Sequence, residues 1–282
     1  MRNRTTHRRN RLGLACALAV GVLTAGLVAG PAFAADDADG PDDTDPSSTE
    51  MATSSALSGA ITDDADEAAS DTEGKAAATA KSLRVIAALA TLPDDDDATT
   101  TDDSGATAAV TYKTLTITTQ MQQRSYWCGP AAGRATLTAF GVTKTQGALA
   151  TSMRTTVGGT AASKIYTTLN TYESRNFYYD DKGTASAKYL FARVKTDIGS
   201  LKAPVIPLVQ GHSLPIWTSN GYHGLHFISL YGYGSDGVSI KYFDPADADV
   251  LYGRHVVNRK YVYAAMNSKY GSDSKADNEL VW

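Results

Sequence analysis

From about residue 109 to the end of the chain, apolar positions recur with two different periods. After Cys128 the run "GPAAGRATLTAFG" is rich in alanine and closes at Gly141. Pro130 suits the first turn of a helix, where a missing N–H costs nothing, so a helix is predicted over Ala131 to Phe140. Cys128 then sits at or just before its N-terminus. Further helices are predicted near 144–153, 160–171 and 188–199. The stretches "HFISLYGYG" and "SDGVSIKYFD" instead read as two strands joined by a turn around Ser235, Asp236 and Gly237. Strands are predicted near 203–209, 225–233 and 237–244, with one more element near 259–266. The expected fold class is α+β, with helices packed on a small antiparallel sheet.

The alternation within the two adjoining strands also sets a register. Ile228 and Leu230 are apolar in the first, Val238, Ile240 and Tyr242 in the second, while Ser239 and Lys241 are polar. If the even positions share one face, the loop has an odd residue count, as in a three-residue loop closing on Gly237. His226 and Asp244 are both even. They then lie on one face, opposite or one diagonal step apart, within mutual reach.

Upstream the pattern disappears. Residues 1–34 carry Arg2, Arg4, Arg8, Arg9 and Arg11, then an apolar run from Leu12 to about Gly30, then Ala32-Phe33-Ala34. That is the layout of a secretory signal peptide, with cleavage expected after Ala34 by the general secretory route and the mature protein secreted. No later run reaches the ~18 apolar residues of a membrane span, so no stable membrane insertion is expected after cleavage. Residues 35–108 hold 19 Asp or Glu against three Lys or Arg and no aromatic residue. Such a segment buries too little apolar surface to offset the entropy of ordering, so it is expected to be an acidic disordered linker or pro-segment. One island, 75–92, could form a helix with Leu83, Ile86, Ala87 and Ala90 on one face. Asp94 to Asp97 lack the turn glycine and spaced ligands of a calcium loop.

Charge divides the chain in the same way. Residues 109–282 carry 18 Lys or Arg against 11 Asp or Glu, near +7, whereas 35–108 is near −16. The acidic segment could therefore fold back on the basic domain. No Lys/Arg cluster or nucleic-acid motif accompanies the excess, and no nucleic-acid partner is expected.

Chemistry concentrates at the cysteine. Once Cys16 leaves with the leader, Cys128 stands alone, so neither an intrachain disulfide nor a cysteine-based zinc site can form. A helix N-terminus favours the thiolate. A cysteine hydrolase also needs an imidazole and a group to orient it. The available histidines are His212, His223, His226 and His255, and parity puts His226 beside Asp244. "HGLH" is a poor metal pair because His223 and His226 face opposite ways on a strand. The Cys128 backbone N–H plus a glutamine amide could stabilise an oxyanion, and Gln120, Gln122 and Gln123 all lie just upstream. No serine-hydrolase elbow, zinc-protease helix or phosphate loop is present.

As a set, "QQRSYWCGPAA", "ATSMRTTVGGTAASKIYTTLN" and "HFISLYGYG…YFDP" resemble the papain-like cysteine peptidases, most closely family thirty-nine, the bacteriocin-processing double-glycine peptidases and their secreted relatives. The resemblance spans roughly 117–268. It implies a papain-like fold over 109–282, with Cys128 as nucleophile, His226 as base, Asp244 orienting the imidazole and Gln122, by its six-residue spacing, supporting the oxyanion. It implies a peptide or protein substrate and no metal or organic cofactor. No transporter domain accompanies it, so cleavage coupled to export is not implied. The alternatives are another thiol acyl-transfer enzyme, such as a cell-wall amidase or transglutaminase-like enzyme, and a catalytically silent binding domain.

Overall fold

The computed structural model of the chain describes residues 72–95, 109–218, 223–247 and 253–282. The expected leader, its cleavage point and most of the acidic segment lie outside the described residues. In chain order the elements are α1 (Thr72–Leu89), β1 (Tyr112–Thr114), α2 (Cys128–Thr138), α3 (Gln146–Ser152), α4 (Ala162–Tyr172), β2 (Asp180–Asp181), α5 (Ala187–Thr196), β3 (Ile206–Gln210), α6 (Pro215–Thr218), β4 (Leu225–Phe227), β5 (Ser229–Gly234), β6 (Ser239–Phe243), β7 (Arg254–Asn258), α7 (Arg259–Asn267) and β8 (Leu280–Val281). This is the α+β arrangement expected from the sequence.

All the described strand pairs are antiparallel, in two sheets ordered β1-β5-β6-β7 and β2-β8-β3-β4. A bridge between Val205 and Leu230 links them. Every residue of β3 is buried, and its alternation sorts two cores, since successive side chains point to opposite faces. Ile206 and Leu208 join the core of α2, α3 and α4 with Leu137, Leu149, Ile165 and Leu169. Val205 and Val209 join the core of α5 and α7 with Leu190, Phe191, Val262 and Met266.

Two expectations change here. The single strand predicted over 225–233 is two strands that part at Ile228, because β4 pairs with β3 while β5 pairs with β6. The odd-count loop is also replaced: four residues, 235–238, separate β5 from β6, with Tyr233 opposite Ile240. A bulge between Leu230 and Gly232 adds the missing residue and brings Leu230 opposite Tyr242. The even–even pairing thus arises from a bulge, which offsets one strand by one residue.

The third change concerns the acidic segment. Within it, α1 is a folded element with Lys81 and Val85 buried and Ala88, Leu89 and Leu92 packed against the α5 core. Folded structure therefore begins ahead of the expected boundary at 109. The face that carries Leu83, Ile86, Ala87 and Ala90 is the outer one, with Leu83 and Ile86 64% and 63% exposed. Lys81 decides the orientation: Nζ bonds Asp197 Oδ2 at 3.1 Å and lies 5.1 Å from the centre of the Trp282 ring. Asp94 and Asp95 pair with Lys188 and Arg259, at 2.7 and 3.0 Å.

Candidate active site

Cys128 is the first residue of α2, so its backbone N–H has no acceptor within the helix. The first helical bond runs from Ala131 N–H to Trp127 O at 3.0 Å. Gly129 lets this turn approach the loop before α4, for a Cβ there would lie 2.8 Å from the Thr160 side chain. The thiol is buried between this turn and β4. Burial alone pushes its pKa up. A hydrogen bond to the His226 imidazole, the charge of that ring, and the Phe227 and Gly129 backbone N–H groups outweigh burial, so the net shift is downward.

His226 and Asp244 are 1% and 0% exposed, and His226 Nε2 meets Asp244 Oδ1 at 2.7 Å. With Nε2 engaged by the carboxylate, Nδ1 is the ring nitrogen left to face sulfur. Asp244 follows β6 directly. Its N–H donates to Gly253 O at 2.7 Å, and its carbonyl passes so close to Gly253 that a Cβ there would lie 2.1 Å away. Gly253 also has φ +71°, the left-handed region that suits glycine. The Asp244 carboxylate accepts two further bonds, from Trp217 Nε1 to Oδ2 at 2.7 Å and from Ala246 N–H to Oδ1 at 3.0 Å. Burial pushes its pKa up, but the charge and hydrogen bond of His226, with the Trp217 and Ala246 donors, carry it below the usual carboxylate range.

Gln122 lies in the irregular segment before α2. Its N–H donates to Pro245 O at 2.8 Å, which ties it to the residue after Asp244. Its side-chain Nε2 donates to Ser125 O at 2.7 Å. A primary amide carries a second N–H on that nitrogen. Gln123 is exposed, Gln120 half-buried.

The other imidazoles are engaged elsewhere. His223 Nδ1 bonds Asp273 Oδ2 at 2.8 Å, His255 Nε2 bonds Asp247 Oδ2 at 2.6 Å, and His212 packs on Tyr270. Among the described residues no group of three or more His, Cys, Asp or Glu is arranged to hold a metal ion. No described helix is long and apolar enough to cross a membrane. Tyr126 and Trp127 are half-buried and meet edge to face, with ring centres 6.4 Å apart.

Trp217 is the site residue that pattern reasoning does not reach. It lies in the short helix α6 on the loop between β3 and β4, outside any periodic run. The one signal is the indole itself, whose N–H needs a partner when buried.

The profile of the Peptidase C39-like family matches residues 112–273. No curated protein matches the chain. Among solved structures, one described as a C39-like peptidase from Bacillus anthracis is 16% identical, with a TM-score of 0.41, covering 58% of this chain and 92% of that one.

Proposed function

We propose, because this chain belongs to the Peptidase C39-like family, that it is a cysteine peptidase in which Cys128 is the nucleophile, His226 the acid–base, Asp244 its orienting carboxylate and Gln122 an oxyanion donor. The observation that carries the reading is the continuous buried relay from thiol to imidazole to carboxylate, with the pKa of both Cys128 and Asp244 lowered against the effect of burial. In such a site sulfur rests as thiolate and imidazole as imidazolium, a pair that Asp244 stabilises.

The steps follow from that resting state. The thiolate adds to a peptide carbonyl carbon, and the C=O electron pair moves onto oxygen. The Cys128 N–H and the second Gln122 Nε2–H are suited to receive that oxyanion. As the C–N bond breaks, His226 Nδ1–H gives its proton to the departing amine, leaving a thioester and neutral imidazole. Nδ1 then takes a proton from water, and the hydroxide adds to the thioester carbonyl. Collapse expels the thiolate and restores the ion pair. Asp244 keeps Nε2 protonated throughout and stays ionised.

We also read the protein as secreted, on the basic, apolar and Ala-x-Ala succession of residues 1–34. Mass spectrometry of the exported protein should then find Ala35 as its first residue. Activity is tested by incubating the protein with a peptide library of defined termini. New amine termini should appear, and should be absent with Cys128→Ala. An uncleaved library, together with a thiol that alkylates only near the ordinary pKa of about 8.5, would exclude the catalytic reading.

A further inference from the structure

Gln146 begins α3, yet the helix does not need it as a cap: Thr145 Oγ1 already accepts from Ala148 N–H at 3.1 Å. The Gln146 side chain is fully buried and reaches back to the irregular segment before α2. Its Oε1 accepts from Gln123 N–H at 2.9 Å, and its Nε2 donates to Met121 O at 2.6 Å. These two bonds bracket Gln122, whose own N–H is held by Pro245 O at 2.8 Å. Three consecutive residues without regular structure are thus fixed by three hydrogen bonds, two of them from one amide. The task requires a group that donates and accepts from neighbouring atoms. A carboxylate would only accept, and an apolar side chain would leave both part-buried peptide groups without this partner.

We propose that Gln146 is the positioning residue of the oxyanion donor. It fixes the backbone at 121 and 123, and so sets where the Gln122 amide points. The assignment rests on the reading of Gln122 given above. An oxyanion donor works only within a few tenths of an ångström of the developing charge, and the pull of Ser125 O on Gln122 Nε2 needs a fixed backbone to act against.

Two probes of the full-length protein separate this role from general packing. Iodoacetamide alkylates Cys128 by displacement of iodide at a saturated carbon and needs no oxyanion hole. A peptide aldehyde, chosen as the best binder from a small pool, adds the thiolate at its carbonyl and places an oxyanion against the donors. In Gln146→Ala the aldehyde should bind roughly ten- to a hundredfold more weakly, while the iodoacetamide rate stays within about twofold. In a Gln122→Ala background the same substitution should cause no further loss. Gln146→Glu keeps the acceptor for Gln123 N–H and almost the same shape, and guards against misfolding. Its loss relative to wild type should shrink as pH falls, because the protonated carboxyl regains a donor for Met121 O. The assignment fails if Gln146→Ala binds the aldehyde like wild type, if the iodoacetamide rate falls in step, or if the losses at 122 and 146 add. If Gln122→Ala itself leaves aldehyde binding unchanged, or no aldehyde binds wild type, the underlying site reading fails instead.

Discussion

Two buried charge pairs of the same chain behave in opposite ways. Asp244 meets His226 at 2.7 Å and Asp197 meets Lys81 at 3.1 Å, and both carboxylates are fully buried. Asp244 accepts from three donors: His226, the Trp217 indole and the Ala246 backbone. Asp197 accepts from Lys81 at Oδ2, while Oδ1 has no hydrogen-bond partner. Burial dominates there, raising the pKa of Asp197 and lowering that of Lys81, each toward its neutral form, against their mutual attraction. A buried carboxylate thus keeps its charge by the number of donors aimed at it. The first region is pre-organised for charge. The second is a seam, where the pair orients a helix at an energetic cost. Linkage follows with opposite sign. Asp244, depressed, stabilises the fold above its unfolded pKa, and that stability is lost as pH falls through the folded value. The cost of ionised Asp197 is present at neutral pH and is relieved as pH falls through its raised value.

The strongest way to break the comparison is Cys128→Ala, which removes the thiol hydrogen-bonded to His226. Peptide hydrolysis should fall by at least about 10⁴-fold, with the thermal midpoint nearly unchanged. Lys81→Ala attacks the second region and leaves Asp197 buried without its cation. Denaturant unfolding should show a loss of about 3–5 kcal/mol, with little change in Cys128 alkylation below the melting range. The double variant Lys81→Met/Asp197→Leu should recover most of that loss. No recovery would show that the pair itself stabilises the fold. Asp244→Asn sharpens the comparison from the other side. The neutral amide stabilises the imidazolium less, so the Cys128 pKa should rise, and the pH midpoint of alkylation should move upward toward that of a free thiol. An unmoved midpoint would mean that the carboxylate charge does not reach the sulfur. Trp217→Phe removes one of three donors and should have the smallest effect, about 1 kcal/mol of stability and a several-fold loss of turnover at unchanged iodoacetamide rate.

The same contrast explains what could be read from the residues alone. The relation between His226 and Asp244 is reached by parity over Ile228, Leu230, Ile240 and Tyr242, and the structure keeps the even–even pairing at Leu230 and Tyr242, although His226 itself lies on β4, which pairs with β3. The route differed, a bulge at Tyr231 rather than an odd loop, since a one-residue offset leaves the same parity whichever point of the hairpin supplies it. Cys128 was legible for a similar reason, with Pro130 and the alanines after it marking a helix start. The face of α1 was not. Its inward residues include Lys81, which no hydrophobic pattern counts as core, and its outward residues are Leu83 and Ile86. What turns it is a partner 116 positions away. Trp217 acts through one hydrogen bond to Asp244 and Gln146 through two to the segment before α2, and contacts made by individual polar side chains leave no period behind.

The seat of α1 has a consequence for the order in which the molecule can be completed. Lys81 lies against the rings of Tyr178, Tyr179 and Trp282, and Arg259 holds Pro93 O at 2.8 Å across 166 positions. A chain made from its N-terminus exposes α1 long before these partners exist, and closing such spans is slow. The helix is therefore among the first elements synthesised and must be among the last to dock. Until Trp282 has emerged, its lysine has only part of its final lodging, and the growing chain carries a helix that waits for the far end to arrive.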